Sequence, residues 1–142
     1  MSSSTVNYLA PLAEGGIKDA SPEGYEDVSF DYVFDVALLA SQLLRDQTVS
    51  IFTEADFAWR ALIVAVNTGT FAVRFVDGQG YYLSSGMIQS QNLLATPADP
   101  WIVFPETLYP AGGRIGIDIQ DLSAAPNTIE LVFRGVNRYR LK

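Results

Sequence analysis

The stretch FPETLYPAGGRIGIDIQDLS, Phe104 to Ser123, holds two prolines, a Gly-Gly pair and then a strict alternation. Two glycines mark a phosphate-binding loop when a helix follows them, because the amides of the helix N-terminus hold the anion. Here the period after Gly113 is two. Ile115, Ile117 and Ile119 point one way, and Arg114, Gly116, Asp118 and Gln120 point the other. The Lys-Ser/Thr pair of a phosphate loop is also missing. The stretch therefore reads as a proline-led turn, in which glycine supplies a positive φ, feeding a strand with one buried face.

The same period recurs outward from this point. Downstream, Ile129, Leu131 and Phe133 alternate with Thr128, Glu130, Val132 and Arg134. Upstream, Val28, Phe30, Tyr32, Phe34, Val36 and Leu38 share a face opposite Ser29, Asp31, Val33, Asp35 and Ala37. Phe57–Val66 is apolar on both faces, as a central strand must be. Asn67–Thr70 reads as a turn, Phe71–Phe75 alternates again, and Asp77–Gly80 is a further turn before Tyr81-Tyr82-Leu83 restarts a strand. Ile88–Leu94 is a further candidate strand. Trp101–Phe104 is a short one ended by Pro105. Leu38–Gln47 fits a short helix or an extended segment equally. No long amphipathic helix appears. Some eight short strands at turn-marked intervals predict an all-β fold, a jelly-roll-like two-sheet sandwich, with an immunoglobulin-like sandwich as the alternative.

Composition limits the chemistry. The 142 residues are 49% hydrophobic and 18% charged, enough to build one core. There is no cysteine and no histidine. Disulfides, thiolate metal sites, a cysteine nucleophile and the commonest general base are thereby removed. A two-carboxylate site remains possible in principle. Yet Asp31 and Asp35 stand about 13 Å apart along a strand, and Asp118, Asp121 and Glu106 read as solvated carboxylates. No EF-hand spacing is present. No catalytic residue, cofactor or metal is expected, and the chain is not expected to be an enzyme. Net charge −7 argues against nucleic acid as a partner. The start, MSSSTVNYLAPLAEGG, lacks the pattern of a secretory signal, and no apolar run reaches membrane-span length.

Residues 1–26 read as an N-terminal arm and 27–142 as the sandwich domain. The arm is rich in Ser, Gly and Pro but carries apolar anchors, among them Tyr8, Leu9 and Leu12. They suit docking on the arm's own domain or on a neighbour. Acids crowd the first quarter of the chain. At the other end Arg134, Arg138, Arg140 and Lys142 share one parity and so one face of a continuous strand. Such a stripe suits pairing with the acidic strand of the same chain, or contact with an acidic patch on a partner. Tyr8, Leu9, Leu12, Arg134, Arg138 and Arg140 are the candidate partner contacts. Tyr25, Tyr81, Tyr82 and Tyr109 lie in or near loops, where an interface would use them.

The runs DFAWRALIVAVNTGTFAVRFVDGQGYYLSS (56–85), PETLYPAGGRIGIDIQDLS (105–123) and NTIELVFRGVNRYR (127–140) resemble small virion proteins of tailed phages, of the capsid decoration or cement type. The resemblance marks strands and turns, not a reactive site. It implies a protein made in the host cytoplasm that sits on the outer capsid as a homodimer or homotrimer and bridges major capsid protein subunits. Neck, tail and fibre-adaptor proteins share such sandwiches. A carbohydrate-binding module, using exposed Tyr with Trp59 or Trp101, is the reading from another class.

Overall fold

The computed structural model describes residues 24–93 and 95–141. The expected arm, with Tyr8, Leu9 and Leu12, lies outside them. Eight strands follow one another: β1 Tyr25–Leu38, β2 Leu43–Ser50, β3 Asp56–Asn67, β4 Phe71–Val76, β5 Ile88–Gln89, β6 Trp101–Tyr109, β7 Arg114–Asp121 and β8 Asn127–Arg140. One helical turn, α1 Ser90–Leu93, follows β5. The expected boundary at residue 26 differs slightly, because β1 already includes Tyr25 and Glu26.

One sheet has the order β1-β8-β3-β6 and the other β2-β7-β4-β5. The antiparallel pairs β1–β8, β2–β7, β3–β6 and β4–β5 are those of one long hairpin ribbon. Rolling that ribbon adds the pairs β3–β8 and β4–β7. This is the eight-strand jelly roll, and the immunoglobulin order is not formed.

The core lies between the sheets where the alternation places it. Ile115, Ile117, Ile119, Ile129, Leu131 and Phe133 are fully buried. Trp59 packs edge-on against Phe75 and Phe133, with ring centroids 5.2 and 5.1 Å away. A second aromatic group sets Phe30 and Phe57 against Tyr32, with half-exposed Phe52 at its edge. The turn that opened the sequence reading closes as expected. Gly113 N–H donates to the Pro110 carbonyl at 2.8 Å, and Gly112 has φ +77°. A positive φ at the third turn position is the type II geometry that glycine permits.

Of the two readings of Leu38–Gln47 the extended one is formed: a tight turn at Leu39–Gln42 passes β1 into β2. Other local expectations need correction. Tyr81–Leu83 does not restart a full strand; only Tyr82 bridges Val76. Ile88–Leu94 shortens to a two-residue strand and α1. β6 does not end at Pro105 but runs on to Tyr109. It is a sheet edge, where a residue without an N–H removes no ladder bond.

Candidate functional site

No carboxylate pair is free for acid–base work near Asp118 and Asp121. Both aspartates are buried rather than solvated. Asp121 ties the end of the sandwich together. Its carboxylate accepts from the N–H groups of Ser41, Ser123 and Ala124, the Ser123 hydroxyl at 2.6 Å and the Asn127 amide at 3.1 Å. Asp118 accepts from the Asp46 N–H at 2.9 Å and from Arg74, its cross-strand partner, at 3.2 Å. Three described residues other than glycine have positive φ: Ser41, Asp46 and Ala124. Each donates its N–H to one of these two carboxylates. The left-handed conformation is disfavoured for residues with a Cβ, so the aspartates act as anchors for two strained turns and for the bulge in β2.

Electrostatics follow from that geometry. Burial alone would raise the Asp121 carboxyl, but the Ser123 hydroxyl, the Ser41 and Ser123 amides and Asn127 outweigh it, leaving the pKa far below the usual 3.8. For Asp118, burial is likewise outweighed, by the Asp46 amide, Arg74 and Tyr82. Parity along β7 placed Asp118 outward. The residues that bury it come from β2 and from the segment after β4, which local sequence does not reveal.

The basic stripe lies on one outer face of the β1-β8-β3-β6 sheet, as its parity required. The β1–β8 register sets Asp31 opposite Arg134 and Asp27 opposite Arg138. Arg134 grips Asp31 through two bonds of 3.1 Å. Arg138 grips Asp27 at 2.8 and 2.9 Å and reaches Glu106 at 3.2 Å. Arg60 joins Glu106 at 2.9 Å and Asp27 at 3.4 Å. Asp27, Arg138, Glu106 and Arg60 thus close a neutral ring across all four strands. Of the two readings left open for the stripe, pairing within the chain accounts for Arg134 and Arg138. Arg140 stays exposed, its guanidinium 5.8 Å from the Tyr25 ring centre. The candidate arm residues fall outside the described part.

The exposed apolar surface gathers elsewhere, at the β6 edge. Between Trp59 and Ala61 of β3 lies one residue. Between their β6 partners, Thr107 and Ile102, lie four. Residues 103–106 therefore bulge from the sheet, and Phe104 stands on the bulge 91% exposed. A groove of about 590 Å³ runs beside it, bounded by Trp101–Leu108, by Leu83 and by the Asp77–Gln79 turn. Gly78 fixes that turn: a Cβ there would come within 2.9 Å of the Leu108 carbonyl. Tyr81 and Tyr82 are exposed as anticipated, but Tyr109 is fully buried, its hydroxyl donating to the Val76 carbonyl at 2.8 Å. The signal that could have revealed this edge was Pro105 inside an apolar run, which marks an edge strand or a bulge.

Among the described residues no three His, Cys, Asp or Glu side chains gather to hold a metal ion, and no helix is long and apolar enough to cross a membrane. Compared with family models and with curated proteins, the chain matches none.

Proposed function

We propose that this chain is a structural protein of a tailed-phage particle, bound to the outer capsid surface and bridging major capsid protein subunits. The observation that carries the reading is the strand order. The segments that resemble phage decoration proteins form β3, β4, β6, β7 and β8 of an eight-strand jelly roll. That architecture is used repeatedly in capsid proteins, though a fold alone never assigns a function. The chemistry is consistent with a scaffold. Asp27, Asp31, Asp118 and Asp121 all hold the fold together. Many weak contacts repeated around a shell act together.

The test is to add purified protein to mature capsids lacking it. Saturable co-sedimentation and a raised shell melting temperature are expected. Absence of binding would remove the proposal. The carbohydrate-binding alternative loses Trp59, which is fully buried, and retains Trp101 beside the β6 groove. A shift in tryptophan fluorescence on adding glycans would favour it.

A further inference from the structure

The β6 edge carries a projection and a hollow side by side. Phe104 projects from the wall of a groove that Trp101, Leu108 and Leu83 also line. A surface that holds both a knob and a hollow can meet a second copy of itself about a two-fold axis. We propose that two copies of this chain associate through the β6 edge, with Phe104 of each seated in the groove of the other. This interface does not rest on capsid binding, and it would form in the isolated protein.

Three observations select a second copy as the occupant. The first is area. Phe104, Ile102, Leu108 and Leu83, which all line the groove, are 91, 65, 48 and 42% exposed. The patch is on the order of 400–500 Å² per copy, the size of a small, reversible interface. The second is charge. Two chains of net charge −7 meet best on a face of low charge. Of the two acids beside the groove, Glu106 is paired with Arg60 and Arg138, and Asp77, whose one oxygen accepts from the Gln79 and Tyr81 amides, carries the one negative charge left there. The third is the backbone. Pro105 has no N–H, and residues 103–106 leave the β3 ladder. Continuous strand addition is therefore interrupted at this edge, and seating of side chains carries the contact.

Sedimentation velocity of the full chain over about 1–100 µM tests this. Wild type is expected to form a dimer. Phe104→Asp and, independently, Ile102→Asp should each weaken it by ~100-fold or more, as loss of a central anchor does. Leu39→Asp, an exposed site on the β1–β2 turn, should leave it unchanged. Circular dichroism confirms that each variant is folded, and the exposure of Phe104 and Ile102 makes retention of the fold the expected result. A wild type that stays monomeric at the top concentration overturns the proposal. So does a trimer, or dimerisation of both Asp variants at wild-type strength.

Discussion

Gly135→Ala should damage this fold more than any surface substitution, for a reason fixed by the β3–β8 register. Gly135 lies opposite Trp59, where β3 bulges between Trp59 and Ala61. A Cβ at 135 would overlap the Ala58 carbonyl oxygen and come within 3.1 Å of the Phe57 ring. The obstacle is backbone held between two neighbouring strands, so no rotamer change relieves it. β3 and β8 must part locally. Overpacking of this kind costs about 1–3 kcal/mol, and weakening one or two ladder hydrogen bonds adds about 1 kcal/mol each. A loss of about 3–4 kcal/mol, from a total of roughly 5–15, should lower the melting temperature by about 12 °C. Far-ultraviolet circular dichroism would follow the melt, with fluorescence of buried Trp59 as a second probe. Gly86→Ala is the control, because a Cβ there meets nothing within 4 Å. If Gly135→Ala melted within about 2 °C of Gly86→Ala, the close β3–β8 approach argued here would be wrong.

The remaining predictions concern charge and strain. Asp118 and Asp121 have folded pKa values below 3.8, so they bind fewer protons folded than unfolded, and their contribution is present above that value and lost as pH falls. The melting temperature should hold steady down to about pH 5 and then drop, and Asp121→Asn should flatten the drop while lowering the neutral-pH value. Arg138→Ala leaves Asp27 buried with only a 3.4 Å contact to Arg60, and urea titration should record a loss of about 3 kcal/mol. Ala124→Gly relieves a positive φ at an exposed turn and should stabilise by about 0.5–1 kcal/mol by the same titration.

What could be read from the sequence was what depends on period and parity. Ile115, Ile117 and Ile119 announced a buried face, and the shared parity of Arg134 and Arg138 announced a basic face suited to an acidic strand. The jelly roll follows once those strands pair. What was not readable depends on residues distant in the chain. Asp121 has local partners in Ser123, Ala124 and Asn127, but the Ser41 amide that also holds it comes from 80 residues away. Asp118 looked solvated because Asp46 reaches it from a bulge in β2. Pro105 looked like a strand end, although a proline inside an apolar run also marks an edge strand or a bulge. Phe104 was hidden for another reason. Its exposure comes from the unequal spacing between β3 and β6, which exists only after the two strands have paired.

Cryo-electron microscopy of the intact particle tests the central proposal most directly. A jelly-roll density is expected on the outer capsid, at positions between major capsid protein subunits. Density confined to the neck, tail or fibres, or particles that contain no copy of the chain, would contradict it.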